Sequence, residues 1–549
     1  MSQEKIARKM IIQKLPGFKR YIALSFICAL GLQLVALVPP LLMRNIIDTH
    51  IPQGNLQSTL GAIVLFVSIP LGAAIVSTFY DYGLSVSARN MGRALTMMGF
   101  ERMIYQPVAY FDKNNSGEMA AYCKSEALSY VMFWLFDTPR LFASLLSGLV
   151  VYGLIFAQSP YIALGLLLYI PLSIVPSRWL AKMMQGNVKR ITENNAKTNQ
   201  LMANTFQGIK FVKTMLLEKV QLAKINDVNK STVTAFSRAV AIEHLNRNWT
   251  GNFLDKLFVG VVFAVAAILV IQGRATLGML VVMLGYLPLF FSAVRSVTDA
   301  NFQFSRQLAQ FDKFFGILAM EDSRDKDRQG TDFAFQDAIL FKNVGFAYDQ
   351  ERGNVLKGLD LQIRKNNWVA IVGESGAGKT TVFDLLLKLY DGYSGDIIVD
   401  DQPLTAITSA SLRRGMTKVS QELFLFPGTL GDNLRLAKPD ATQAELTAAL
   451  SLAGLDGFMA KQPHGLDTDI GEGGLLLSGG EKQRICLALG ILRGSQILLL
   501  DEVTANLDPE TEARVMDNIK ALMDVRDLTV VSISHRVECL EYADYVVRI

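Results

Sequence analysis

Charge is scarce in this sequence. Asp, Glu, Lys and Arg make up 19% of the 549 residues, against about a quarter in an average globular chain. Lys and Arg together number 54 against 50 for Asp and Glu, a net +4. A nucleic-acid partner would need a concentrated basic face, and so small an excess supplies none. Cysteine is equally sparse, and the four present, Cys28, Cys123, Cys486 and Cys539, are far apart with no C-x-x-C pair. That excludes a disulfide framework and a zinc site and suits a reducing compartment. Half of the residues are hydrophobic, which excludes disorder, a coiled coil and a secreted miniprotein.

What is there in quantity is uncharged sequence, and it divides the chain in two. Runs without a charged residue cover residues 21–43, 51–80, 141–177, 257–273 and 275–294. Crossing the hydrocarbon core takes about 20 apolar residues, so 141–177 reads as two helices that turn over at Ala157, Gln158, Ser159 and Pro160, and the total is six spans. A buried helix of a large soluble protein would account for the shortest run alone, but not for six. Beyond Val294 the longest apolar stretches, such as 497–500, are strand-sized and bracketed by polar residues.

The flanks orient the spans. Lys5, Arg8, Lys9, Lys14, Lys19 and Arg20 precede the first, whereas the turns at 50–59 and 157–160 have no Lys or Arg and Arg274 alone marks the third. The positive-inside rule then puts the N-terminus and the long Lys/Arg-rich stretches, including 178–249, in the cytoplasm, with helices continuing out of the membrane on that side. The first apolar run is span-length with no small-residue cleavage pattern after it, so no cleavable signal peptide is expected. Asp137, Arg140, Asp255 and Lys256 fall beside apolar runs and are expected at the inner interface.

A charged linker, 323–336, separates the membrane part, 1–322, from an expected soluble domain at 337–549. There a short apolar run, 368–372, ends in Gly373-Glu374-Ser375-Gly376-Ala377-Gly378-Lys379-Thr380, followed by Thr381 and a helical periodicity through Tyr390. The G-x-x-x-x-G-K-[ST] spacing lets backbone N–H groups wrap phosphate oxygens, with Lys379 reaching the outer phosphates and Thr380 offering a hydroxyl to Mg²⁺. Downstream, the apolar run 497–500 delivers Asp501 and Glu502 at its end, where open parallel sheets bind ligands. Asp501 suits Mg²⁺, and Glu502 is placed to polarise a water attacking the outermost phosphate. Between them lies Leu477-Ser478-Gly479-Gly480-Glu481-Lys482-Gln483-Arg484. Ser478 and Glu481 are spaced as a capping box, so Ser478 should start a helix whose first amides form a second anion site.

The order of these elements resembles the nucleotide-binding domain of ABC transporters, and the whole chain resembles an ABC exporter half-transporter. Such a chain has an all-α six-helix transmembrane bundle followed by an α/β P-loop ATPase domain. The resemblance implies further roles. Tyr348 corresponds to the adenine-stacking aromatic, and Gln421 to the glutamine that reaches Mg²⁺ and links the nucleotide site to the membrane part. Residues 373–381 hold ATP, Ser478, Gly479, Gly480 and Glu481 are the nucleotide-binding members of the signature, 477–484, and Asp501 and Glu502 are the metal and catalytic carboxylates. Asp508 belongs to the D-loop, His535 is the switch histidine, and Glu472 lies in the loop that touches the coupling helices, expected near 111–118 and 206–213. Implied partners are ATP and Mg²⁺, a second copy of the chain, membrane lipids and a transported substrate. The implied location is the bacterial cytoplasmic membrane, with the N-terminus and ATPase domain cytoplasmic.

Three features depart from the family pattern. Ala505 and Asn506 stand where Ser-Ala is usual, Leu489 stands where an arginine is common, and the chain stops at Ile549 inside an expected strand, so its C-terminus is expected to be incomplete. An importer of a siderophore-like ligand or an ATP-gated channel or regulatory subunit on the same scaffold stays open as an alternative to export. Low charge in the spans favours a peptide, lipid or small apolar molecule as cargo over ions or sugars.

Overall fold

The computed structural model describes all residues except 1, 2, 16, 115–122, 124, 125, 321–329, 350–352, 375, 421–423, 472, 473, 505, 506 and 535, and describes the backbone alone at 3–8, 301–310, 312, 313 and 537. Contacts divide the chain into two compact units, Met1–Ile104 with Asn115–Met320, and Tyr105–Asn114 with Glu321–Ile549.

The uncharged runs of the first unit become helices, since a backbone in hydrocarbon must satisfy its own hydrogen bonds. Six among the described residues are long and apolar enough to cross a membrane: α1 (Phe18–His50), α2 (Leu56–Ile104), α3 (Glu126–Gln158), α4 (Pro160–Gln207), α5 (Glu218–Ile271) and α6 (Leu277–Leu318). At 49, 48 and 54 residues, α2, α4 and α5 run far past the 20 or so that a span requires. The turn at 157–160 is made by Ser159, extended at φ −151° and ψ 103°. Pro160 follows at the first position of α4, where its missing N–H costs nothing.

Within α1 the helix loosens at Ala36 and Leu37, just ahead of Pro39 and Pro40. Pro39 and Pro40 withdraw the donors that would bond the carbonyls of Val35 and Ala36, and the neighbouring Leu37 carbonyl accepts from the Tyr286 hydroxyl of α6 at 3.1 Å. Two apolar clusters hold the unit. One gathers Val151, Ile155, Tyr169, Tyr286, Phe290 and Phe291, and the other Phe18, Leu84, Tyr130, Leu135, Phe314 and Phe315. Asp255 faces inward, where it accepts from the Tyr169 hydroxyl at 2.7 Å and pairs with Arg295.

Among the described residues the second unit contains two sheets. β1 (Ala338–Phe346), β2 (Leu356–Arg364), β4 (Ser394–Val399) and β5 (Gln402–Pro403) form an antiparallel sheet in the order β2-β1-β4-β5. β3 (Trp368–Val372), β6 (Met416–Val419), β7 (Ile497–Asp501), β8 (Thr529–Ile533) and β9 (Tyr545–Arg548) form a parallel sheet in the order β6-β7-β8-β3-β9. Strands β7 and β8 are buried at every position, as strands covered on both faces are. The carboxyl ends of β3, β8 and β7 therefore lie side by side, the edge at which such sheets bind ligands.

Candidate functional site

From β3 the chain turns through 373–378 into α7 (Lys379–Leu386). Gly376 and Gly378 sit at φ 84° and 93°, left-handed angles that side chains avoid. At Gly378 a Cβ would also stand 2.7 Å from Leu356. Lys379 is 7% exposed, and its Nζ donates to the carbonyls of Gly373 and Glu374, each at 2.9 Å. The ammonium thus lies over the loop at the N-terminus of α7, whose free amides also favour an anion. Glu374 and Thr380 are exposed, Ala377 is partly buried, and Thr381 is buried behind the loop. The helix stops at Leu386, short of the periodicity through Tyr390, because Lys388 takes a left-handed φ of 49° and Arg413 binds the carbonyls of Leu387 and Lys388.

Asp501, at the end of β7, is 2% exposed. Its Oδ1 accepts from the Thr380 hydroxyl at 3.2 Å, and its Oδ2 lies 3.4 Å from Lys418 Nζ. Burial pushes the Asp501 carboxyl above the usual carboxylate range, while Lys418 and Thr380 pull it down. A hydroxyl and a buried carboxylate brought together beside a phosphate loop make an oxygen donor set of the kind Mg²⁺ takes. Lys418 was not foreseen from sequence. It stands in β6 between buried Thr417 and Val419 and also binds Asp384 at 2.8 Å.

Glu502 follows with φ 51°, a left-handed angle that costs a non-glycine residue about 1–2 kcal/mol. Two backbone bonds hold it there. Its amide donates to the Ile533 carbonyl at 3.1 Å, and its carbonyl accepts from Gln483 Nε2 at 3.0 Å. Gln483, 2% exposed, therefore ties the signature run to the acid pair, a role that spacing alone did not reveal. Ser478 caps α8 (Gly479–Arg493) with both bonds of the capping box. Its hydroxyl accepts from the Glu481 amide at 3.3 Å, and its amide donates to Glu481 Oε2 at 2.8 Å. A Cβ at Gly479 would meet nothing within 4 Å, so open space lies against this helix end. Asp508 caps α9 (Pro509–Val525) through the Thr511 amide at 2.9 Å, which holds its carboxyl below the usual range.

Tyr348 is 43% exposed. Its ring meets Phe346 and Tyr390 edge-on at 5.0 and 4.8 Å, and its hydroxyl reaches Thr381 at 3.0 Å and Asp384 at 3.2 Å. Burial above all, with Asp384 close by, pushes that hydroxyl up to about 12 against the pull of Thr381. Tyr390 in turn donates to Asp112 at 2.7 Å, on the short helix Val108–Lys113 that belongs to this second unit. Ser375, Gln421, Glu472 and His535 lie outside the described residues, as do 115–118 of the first expected coupling segment and the D-loop pair Ala505 and Asn506. The second segment turns at Gly208 into the short helix Ile209–Thr214, with Phe206 and Phe211 exposed.

The family model of the ABC transporter transmembrane region matches residues 22–294, and the ABC transporter family model matches 356–505. An ATP-dependent lipid A-core flippase of Shewanella sp. strain MR-4 is 30% identical over 503 residues, covering 88% of this chain and 80% of that protein. This chain belongs to the ABC transporters. It is a multi-pass membrane protein of the exporter type, and its ABC domain binds nucleotide and couples ATP hydrolysis to transport. A putative multidrug export ATP-binding/permease protein of Bacillus subtilis is 25% identical over 98% of this chain and 94% of its own length. The structure of a bacterial Atm1-family ABC exporter with ATP bound shares the fold of this transporter, with a TM-score of 0.84 at 23% identity over 97% of this chain and 93% of that one.

Proposed function

We propose that this ABC transporter works as a homodimer that exports an amphipathic or apolar substrate, a lipid, peptide or small molecule, across the bacterial cytoplasmic membrane by alternating access. One observation carries the dimer. The chain has one phosphate loop and one serine-capped signature helix, yet among the described residues no hydrogen bond or ion pair joins 478–481 to 373–381. A helix end with open space beside it fits a nucleotide held by a second copy. Exposed apolar side chains support the same reading, with Phe211 and Leu216 at the α4–α5 turn and Phe424, Leu475 and Leu476 in the second unit. Cover by a second copy would remove them from water. The names of the flippase and multidrug-export relatives support a lipidic or amphipathic cargo.

In this reading Lys379 and the amides of 373–381 bind the phosphates, Tyr348 stacks on adenine, and Ser478 to Glu481 close over the partner's nucleotide with Asp508 nearby. Thr380, Asp501 and Gln421 hold Mg²⁺, which when bound offsets the charge on the transferred phosphoryl group. Glu502 accepts the proton of the attacking water, and His535 senses the outer phosphate. The N-terminus and the ATPase domain are cytoplasmic. Native mass spectrometry with ATPase assays in lipid nanodiscs tests the assembly, and a stable monomer with full activity would overturn it.

A further inference from the structure

A cavity of about 980 Å³ lies inside the membrane unit, walled by α1, α2, α3 and α6. One wall is built by an unusual stretch of α3. Phe133–Asp137 is a wide π-helical turn, and residues 133–138 all line the cavity. Such turns are rare and concentrate at functional sites. Here side chains satisfy the loosened backbone. The Thr138 hydroxyl donates to the Phe133 carbonyl at 2.9 Å, Ser25 donates to the Leu135 carbonyl, and the Tyr80 hydroxyl donates to Ser25 at 2.8 Å.

The wall is aromatic and ordered. Tyr130 meets Phe311 and Phe315 edge-on at 5.3 and 5.4 Å, and Phe133 meets Trp134 and Phe311 at 5.6 and 5.8 Å. Among the described residues of the same lining are the carboxylates of Asp81, Asp137 and Asp299 and one guanidinium, that of Arg140. Arg140 is already engaged, 3.0 Å from Asp81 and with its guanidinium 5.5 Å from the Phe136 ring centre. Asp299 makes no hydrogen bond or ion pair among the described residues. The arginines whose field reaches it are bound elsewhere, Arg295 to Asp255 and Arg247 to Glu243 at 2.8 Å.

We infer that this cavity binds an amphipathic cation, a bulky apolar body carrying one permanent positive charge. The apolar body fills the aromatic space, the ring faces attract the cation, and Asp299, without an ion-pair partner among the described residues, supplies the counter-ion. An anion of the same shape meets the Asp299 carboxylate and is rejected. The inference rests on the export reading and names the substrate class of that transporter.

The probes are tetraphenylphosphonium and tetraphenylborate, nearly the same shape and opposite in charge. Binding of radiolabelled tetraphenylphosphonium to the full chain in nanodiscs, without nucleotide and with empty nanodiscs subtracted, should saturate at one molecule per chain. Tetraphenylborate should not compete. Asp299→Asn should weaken binding about tenfold, and Asp299→Glu, which keeps the charge, should restore it, with thermal unfolding followed for both. Equal competition by tetraphenylborate, a measurement on the unaltered protein, would overturn the inference, as would unchanged affinity in a folded Asp299→Asn. The export reading fails separately. Binding as expected with neither stimulated ATPase nor ATP-dependent movement of the cation into vesicles sustains the site and refutes export. Turnover stimulated only by neutral or anionic amphiphiles refutes the cation class and leaves export standing.

Discussion

In the proposed mechanism Glu502 and Lys379 act on the same nucleotide at different moments. Lys379 is a fixed cation facing phosphates already charged in the ground state, so Lys379→Ala should lose ATP binding along with turnover. Glu502 matters when water must be oriented and lose a proton, a contribution typically worth about 10²- to 10⁴-fold. Glu502→Gln keeps shape and hydrogen bonding and should hold ATP while losing most turnover. Nucleotide retention and phosphate release, measured on both variants with Mg-ATP, check this, and near wild-type hydrolysis by Glu502→Gln would refute the assignment. The bond from Gln483 to the Glu502 carbonyl leads to a subtler expectation. Gln483→Ala removes one of the bonds that hold this left-handed residue, at a stability cost of about 1 kcal/mol. Turnover should fall while nucleotide affinity changes little, as the same pair of assays would report. Gln483 was readable only as a polar residue on a well-capped helix, because nothing local marks a side chain that reaches 19 positions along the chain.

Helices pack in lipid through small residues that let backbones approach, and α3 meets α6 in this way. A Cβ at Gly148 would stand 2.3 Å from that of Ala293. Gly148→Val should therefore cost about 1–3 kcal/mol, seen as a lower thermal midpoint in detergent, whereas the same change at Gly153, which meets nothing within 4 Å, should be mild. The elements themselves were largely legible. Uncharged runs located the spans, the turn fell at Ser159, β3 and β7 stood where apolar runs ended in the glycine loop and the acid pair, and the box of Ser478 and Glu481 capped a helix. These features are local, set by periodicity, by capping and by the lack of charge. The pairing of Lys418 with Asp384 and Asp501, and of Tyr390 with Asp112 at a separation of 278 positions, depends on tertiary approach and left no mark in spacing. Periodicity also overran α7, since a left-handed Lys388 and the grip of Arg413 end the helix before the leucines run out.

At the scale of the whole molecule, orientation follows from where Lys and Arg are excluded. With Cys28 and Cys123 replaced, single cysteines at the exposed positions Gln53 and Arg274 should react with an impermeant thiol reagent added outside, and one at exposed Lys197 should not. The reverse pattern would invert the topology. Ser159 is a poor reporter although it lies in a turn expected outside, because the residue is only 4% exposed.

The contacts around Asp384 join the two ends of the proposed nucleotide site. From the Tyr348 hydroxyl the path runs 3.2 Å to Asp384, 2.8 Å on to Lys418, 3.4 Å to Asp501 and 3.2 Å to Thr380. Linkage between two binding events is reciprocal. If Tyr348 takes the base and Asp501 the metal, whatever base occupancy does to metal affinity, metal occupancy must do to base affinity. Tyr348→Phe keeps the ring and removes only the hydroxyl, so ATP should still bind. The Mg²⁺ concentration for half-maximal nucleotide binding should nevertheless move, although the altered atom never meets the ion. A Mg²⁺ titration that superimposed on the wild-type curve would show the two ends to be independent. A moved midpoint would make this transporter's choice of base and its demand for metal two readings of a single equilibrium.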